Sequence, residues 1–189
     1  DLLRMPQAIT VRERGRDAEP EVEAQLAASV EAAVEQALAD LDAMRMREGG
    51  HLRADLDARK LLLAELIERL ADAAADGRVS LESRLMERAR EISTQLPVDQ
   101  AMLAQEIVRT AQRSDVSEEV SRFRGHILHW DALAESDEPC GRKLDFLLQE
   151  MNREINTTSS KVADSDVAVL VVDIKSELER IREQAQNIE

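Results

Sequence analysis

The stretch Gly141-Arg142-Lys143-Leu144-Asp145-Phe146-Leu147-Leu148-Gln149-Glu150-Met151-Asn152-Arg153-Glu154-Ile155-Asn156-Thr157 decides how the rest of the chain is read. Leu144, Leu147, Leu148, Met151 and Ile155 recur at helical steps and make one apolar face. Asp145, Gln149, Asn152 and Asn156 stand at offsets of 0, 4, 7 and 11, which aligns them on another face. Asn, Gln and Thr are mediocre on a solvated helix, where Glu, Lys and Ala serve better. Their regular placement points to a polar site carried by a helix. The closing run Ile181-Arg182-Glu183-Gln184-Ala185-Gln186-Asn187-Ile188-Glu189 repeats the mixture. Its helix carries a heptad-like seam, Val171, Ile174, Leu178, Ile181, Ala185 and Ile188, with Lys175, Glu179, Arg182, Gln186 and Glu189 in a row beside it.

Upstream the pattern is also helical. A helix is expected from Pro20, because Pro is tolerated in a first turn and the acids Glu21 and Glu23 follow. Leu26, Val30, Ala33, Ala37, Leu41 and Met44 recur by threes and fours, and Leu52, Leu56, Leu63, Ile67 and Leu70 resume the seam. Gly49-Gly50 interrupts it, each Gly costing roughly 1 kcal/mol against Ala. A continuous helix from Pro20 to Ala75 would be about 80 Å long, an arm or an interface rather than a domain core. Asp76-Gly77 reads as a turn, Ser80 as the cap of a further helix, Pro97 as a break and Asp99 as the cap of the next helix. Helices are expected over 98–113, 117–133, 144–156 and from 167 onward, with polar connections at 135–141 and 157–166. Ala8 to Arg12 suits a short strand near the N-terminus. The expected division is 1–98 and 99–189, with the polar site in the second part.

Composition agrees with an all-α chain. Hydrophobic residues make up 43% of the 189 residues, yet aromatics are only 2%: Phe123, Phe146 and Trp130, with no Tyr. Large globular cores lean on aromatic area; a chain of Ala, Leu, Val, Glu and Arg packs long helices through narrow seams. An elongated form is expected, its spare apolar seams covered by other subunits. The formal net charge of −14 at pH 7 opposes nonspecific binding to a phosphate backbone, so any nucleic-acid contact must use local clusters of Arg. The single cysteine, Cys140, lies between Pro139 and Gly141 and excludes an internal disulfide, which suits a reducing cytoplasm. No stretch is apolar for long enough to span a membrane. There is no phosphate-cradling Gly-rich loop, zinc-ligand spacing or nucleophile elbow.

GRKLDFLLQEMNREINTTSSK, followed by IREQAQNIE, resembles the YicC-like family of bacterial stress-induced endoribonucleases. MRMREGGHLRADL (44–56) and DVSEEVSRFRGH (115–126) fit the same family. The resemblance covers the C-terminal two-thirds of such a protein; 61–98 is similar only in helical character. The family's N-terminal region is expected to be missing or cut short, since the chain begins at Asp1 in mid-sequence. The resemblance implies metal-dependent internal cleavage of RNA by a homohexamer in stress-related RNA turnover, with other RNA-decay proteins as possible partners.

Three sets of residues carry candidate chemistry. Phosphodiester cleavage with Mg²⁺ or Mn²⁺ needs hard oxygen ligands. Asp145, Glu150, Glu154 and Glu183 are candidates, supported by Asp115, Glu118 and Glu119. The metal set is Asp115, Glu119, Asp145, Glu150 and Glu154; the catalytic set is His126, Glu150, Glu154 and Glu183. The alternative for the acids is a solvated face of Glu–Arg pairs, Glu150 with Arg153 and Glu179 with Arg182. His126 matches a histidine segment of the family and could activate the 2′-hydroxyl or protonate the leaving oxygen. His129 and His51 are weaker candidates. Arg122, Arg142, Lys143, Arg153, Lys161 and Arg182 could hold RNA phosphates, Arg through its bidentate fork, with Lys175 and Arg180 also available. Gln149 and Asn152 could touch RNA; equally, the amides, with Asn156, Gln186 and Asn187, could form a buried network that sets helix register. With so few aromatics, base stacking is scarce and recognition falls to backbone and 2′-hydroxyl contacts.

Two functional readings of different class follow: a metal-dependent endoribonuclease, or a non-catalytic RNA-binding adaptor that delivers RNA to another nuclease. A helical oligomeric scaffold is the plainest alternative. Acidic charge and the lack of a sharp catalytic motif favour the adaptor; metal-dependent turnover separates the two.

Overall fold

The computed structural model describes residues 20–95, 99–136, 138–162, 164–186 and 188. These form five α-helices: α1 (Pro20–Gln95), α2 (Gln100–Arg113), α3 (Ser117–Ala134), α4 (Gly141–Lys161) and α5 (Ser165–Ala185). The fold class is all-α, with no strand among the described residues. The strand expected at Ala8 to Arg12 and the break at Pro97 lie outside them.

The chain divides into two compact units, Asp1–Gly49 and Gly50–Glu189. The described part of the first unit is the opening of α1, with Glu21 and Glu23 in its first turn. Its apolar residues Leu26, Val30, Val34, Leu38, Leu41 and Met44 are all exposed. Gly49 and Gly50 are both helical, and nothing described lies within 4 Å of a Cβ built on either. Neither marks a close approach of another backbone.

The second unit is built on a core drawn from four helices. The rest of α1 contributes Leu56, Leu63, Leu66, Ile67, Leu70 and Ala74, and α3 contributes Val116, Val120, Phe123 and Trp130. The face of α4 is the one read from the sequence, Leu144, Leu147, Leu148, Met151 and Ile155. On α5 the seam is Val167, Leu170, Val171, Ile174, Leu178, Ile181 and Ala185. Each fully buried Leu or Ile contributes about 1.5–3 kcal/mol over its exposed state. This core takes in residues on both sides of position 98.

Ion pairs show the direction of each helix. Lys60 bonds Asp131, and Glu68 meets Arg124, so numbers on α3 fall as those on α1 rise. Arg122–Glu154 and Glu119–Lys161 run α3 against α4 in the same way. Arg182–Asp145 opposes α4 and α5, and Arg59–Glu177 with the Gly77–Asp164 contact opposes α1 and α5. The second unit is therefore an antiparallel helical bundle, in which short connections favour antiparallel neighbours. The amphipathic α2 contributes no fully buried residue. Its N-terminus is capped as expected: Ala101 N–H donates to Asp99 Oδ1 at 2.9 Å.

Two boundaries differ from expectation. Asp76-Gly77 is not a turn and Ser80 is not a cap; both lie inside α1. A single Gly costs roughly 1 kcal/mol, and the apolar contacts of Leu70, Ala74 and Leu81 on either side outweigh it. Gly77 faces Asp164, whose Oδ2 would sit 3.6 Å from a Cβ built there. Of the segment expected as a polar connection, 157–161 continue α4 and 165–166 begin α5; Thr157, Thr158 and Ser160 satisfy their hydroxyls on carbonyls of α4.

Candidate functional site

Polar groups gather where α3 runs against α4. The antiparallel register sets them in successive rungs. The first rung is Lys161, whose Nζ lies 2.8 Å from Glu119 Oε1 and donates to the Asp115 carbonyl at 3.1 Å. Glu119 is buried. Asp115 accepts the Ser117 backbone N–H at 2.9 Å. That hydrogen bond, aided by the fields of Arg78 and Lys161, holds the Asp115 carboxyl below its ordinary value. The second rung is Arg122 and the buried Glu154, 3.6 Å apart, with Arg122 also bonded to Glu118. The third is level with His126 on α3 and Glu150 on α4, because each lies one turn beyond a member of the second rung. Both side chains are half-buried, no ion pair joins them, and Glu150 pairs with Arg153 at 3.8 Å.

Buried glutamates explain why this ridge is polar. Glu119 follows Val116 and precedes Val120 and Phe123, while Glu154 stands between Met151 and Ile155. Both therefore point toward the seam, where a charge must be paired. Glu177 on α5 repeats the pattern beside Ile174 and Leu178; it is held by Arg59 at 2.6 Å and Arg180 at 3.1 Å. A carboxylate in the register of an apolar seam was the available signal for these pairs, and the sequence reading passed over Glu177 and Arg59.

The remaining candidates are elsewhere. Asp145 pairs with Arg182 at 2.9 Å and accepts from Gln149 at 2.6 Å, at the opposite end of α4 from Glu154. Nine residues of helix separate Asp145 from Glu154, about 13 Å along the axis. Lys143 pairs with Glu138 in the preceding loop. Arg142, Asn152, Arg153 and Glu183 are exposed, and Gln149, Asn156 and Gln186 are exposed too. Among the described residues the amides do not form a buried network between helices; Asn187 lies outside them. The reason is register: their row lies on the outer side of α4, away from the Leu144–Ile155 face.

The five carboxylates expected to share a metal are thus spread out: Asp115 and Glu119 around the start of α3, Glu150 and Glu154 in the middle of α4, and Asp145 near its N-terminus. Among the described residues, no three His, Cys, Asp or Glu side chains come together in a way that could hold a metal ion. Glu119, Glu154 and Asp145 each have a cation for a partner instead. The residues as placed do not fit a metal cage within one chain. The bland alternative of Glu–Arg pairs describes Glu150 with Arg153.

Beyond the first rung the ridge opens into a cleft of about 590 Å³, lined by Arg78 and Arg84 of α1, Arg113 of α2, Lys161 of α4 and Asp164 before α5. Arg78 and Arg113 were not singled out by sequence reasoning. They are 35 residues apart in sequence and no local motif joins them.

Comparison with known proteins accounts for nearly the whole chain. Residues 70–189 match the family described as endoribonuclease YicC-like, C-terminal, and residues 1–54 match its N-terminal region. The chain belongs to the YicC-like family. Of the two expectations, an N-terminal region missing or cut short, the second match corrects the first: that region is represented at 1–54. A protein of Clostridioides difficile (strain 630) named probable endoribonuclease YicC is 39% identical over 193 residues. One of the same name from Haemophilus influenzae is 32% identical over 189 residues. In both cases the match takes in all of this chain and 63% of the relative, so this YicC-like chain spans less than two-thirds of their length. Among its described residues no helix is long and apolar enough to cross a membrane.

Proposed function

We propose that this chain belongs to an endoribonuclease and that the α3/α4 ridge is where RNA is cut. The carrying observation is His126: a half-buried imidazole without a hydrogen-bond partner among the described residues, level with Glu150 and one turn from the Arg122–Glu154 pair. An imidazole can both accept and donate a proton, which suits it to proton transfer. In this reading His126 takes the proton of a 2′-hydroxyl as that oxygen bonds to the neighbouring phosphorus; the phosphorus–O5′ bond breaks, water protonates the leaving O5′, and a 2′,3′-cyclic phosphate and a 5′-hydroxyl result. Arg122 stands beside the reacting phosphate, where a guanidinium stabilises added negative charge. The names of the relatives support the same activity.

The reading extends to a homo-oligomer, six copies by the family resemblance, working in the cytoplasm in stress-related RNA turnover. The exposed apolar row of the first unit supports assembly. A divalent metal requirement belongs to the reading through the resemblance alone, and no catalytic step is routed through it here. The net charge of −14 and the dispersed carboxylates favour one competing reading, an RNA-binding adaptor without turnover.

The test is incubation of the protein with a labelled structured RNA, with Mn²⁺ or Mg²⁺ and with chelator, beside His126→Gln and Glu150→Gln. Internal cuts that fall by about 100-fold or more in His126→Gln support the assignment. Cutting at the wild-type rate in that variant removes His126 from the chemistry. RNA binding without cuts by the wild type establishes the adaptor instead.

A further inference from the structure

The cleft at the end of the ridge lies outside the rungs, and its chemistry is distinct. Four cations face it, Arg78, Arg84, Arg113 and Lys161, against one lining carboxylate, Asp164. Counting Glu119, which pairs with Lys161, and Asp115, which feels Arg78, the excess of positive charge rests on Arg84 and Arg113, in a chain of net charge −14. Arg78, Arg84 and Arg113 have no ion pair or side-chain hydrogen bond to any described residue. Elsewhere in the second unit, arginines are commonly spent on acids, as Arg59, Arg122, Arg124 and Arg182 are. Arg78 acts on Asp115 through its field alone, while Arg84 and Arg113 have no acidic partner among the described residues; guanidinium groups around one concavity repel one another unless an anion lies between them.

The backbone adds to this. Ser165, the first residue of the 21-residue α5, lines the cleft, so the positive end of that helix opens into it. Asp164 is the N-cap of that helix and accepts the Asp166 backbone N–H at 2.8 Å, so its carboxylate offsets part of that field and the arginines supply the rest of the positive charge. The volume is in the range of sites that take a small-molecule-sized group, and it is lined by donors suited to phosphate: Arg forks, a Lys, and the hydroxyls of Ser165 and Thr110.

We propose that this cleft is a phosphate-binding site that grips the RNA strand away from the bond that is cut. It rests on the reading of the protein as RNA-cleaving and assigns it an anchoring subsite. Lys161 joins the two regions: its ammonium lines the cleft and also holds Glu119 in the first rung. From Lys161 to the level of Glu150 is 11 residues of α4, about 16 Å along the helix. A phosphate anchored in the cleft therefore leaves room for a short run of nucleotides before His126. The anchoring contact is with backbone charge and carries no base preference.

The experiment measures binding of a fluorescent RNA oligonucleotide in chelator, over a series of salt concentrations. It uses the whole chain and the variants Arg84→Glu with Arg113→Glu, and Arg53→Glu. Arg84 and Arg113 are exposed and unpaired, so their replacement tests charge rather than folding; Arg53→Glu controls for adding acid elsewhere on α1. The double variant is expected to bind at least about ten-fold more weakly, with the slope of log affinity against log salt lowered by roughly 1.4. The Arg53→Glu variant should keep the wild-type slope. Wild-type affinity and slope in the double variant would overturn the cleft assignment while leaving the RNA reading intact. Absence of RNA binding by the wild type would remove that reading and the subsite with it. Oligonucleotides with a 5′-phosphate and a 5′-hydroxyl separate the two sources of the anion. A preference for the phosphorylated end that disappears in the double variant marks a terminal phosphate, and equal affinity marks an internal phosphodiester.

Discussion

Replacing Lys161 with Met isolates the first rung of the ridge. Lys161 is the cation that pairs with Glu119, whose side chain is 4% exposed against 30% for the lysine. Met keeps most of the volume and removes the charge, leaving a carboxylate at the α3/α4 seam without its counter-ion. Stranding one member of a buried pair costs about 3–5 kcal/mol. The partial exposure of Lys161 lets water approach the vacated side, so the expected loss is reduced to about 2–3 kcal/mol. In a chain of this size that corresponds to a fall in Tm of roughly 4–12 °C. Trp130 is the single tryptophan and is buried on α3, so its fluorescence during urea denaturation reports the second unit. The partner variant is Lys161→Met with Glu119→Leu, which removes both charges together. An apolar pair at such a site is close to neutral, so the double variant should recover most of the loss. A single variant within about 0.5 kcal/mol of wild type, or a double variant less stable than the single, would refute the view that Glu119 depends on Lys161.

Further perturbations test other parts of the fold. A Cβ at Gly141 would lie 2.5 Å from the Ile188 carbonyl oxygen, so Gly141→Ala should lower the urea midpoint by an amount equivalent to about 1–3 kcal/mol; an unchanged midpoint would show that the segment ending at Ile188 gives way freely. Gly49→Ala and Gly50→Ala meet no neighbour and should each raise helix stability by about 0.4–1 kcal/mol, read as increased thermal retention of helical circular dichroism. If either lowers it, the glycines serve a conformation other than this helix. Acid should weaken the second unit, because the Arg124 hydrogen bond holds the Glu68 carboxyl below its ordinary 4.5 and the Ser117 N–H holds Asp115 below its ordinary 3.8. Both groups are depressed in the folded state, so their contributions are present above those values and are lost as the pH falls through the lower folded ones. Glu68→Gln and Asp115→Asn should therefore flatten the decline of the urea midpoint between pH 5 and about pH 3, and an undiminished slope would assign acid sensitivity to other groups.

How far the sequence carried the reading depends on the range over which each interaction acts. The face of α4 was legible residue by residue and that of α5 from Val171 onward, with buried Val167 and Leu170 passed over, because helical periodicity is local and an apolar step of three or four means the same thing in any context. Asp99 was legible as a cap for the same reason. The ends of α1 were not: Asp76-Gly77 and Ser80 carry turn and cap chemistry, but packing of the flanking apolar residues outweighs a local preference of roughly 1 kcal/mol. The first-unit row Leu26 to Met44 was legible as an apolar face, and the structure of a single chain leaves it exposed.

Sequence alone determined that this is an all-helical YicC-like chain, and it named Glu119, His126, Glu150, Glu154 and Lys161 as candidates for chemistry. The all-helical class rests on residue type and on spacing along one helix; the family and the choice of His126 rest on the resemblance of the C-terminal segments. Tertiary structure decided which candidates meet. The antiparallel register of α3 and α4 brought Glu119 to Lys161 and Arg122 to Glu154 and set His126 level with Glu150, while it left Asp145 with Arg182 at the far end. It also gathered Arg78, Arg84, Arg113 and Lys161 around one cleft from three helices. A charge on one helix carries no record of which helix will face it; that is set by how the apolar seams pack.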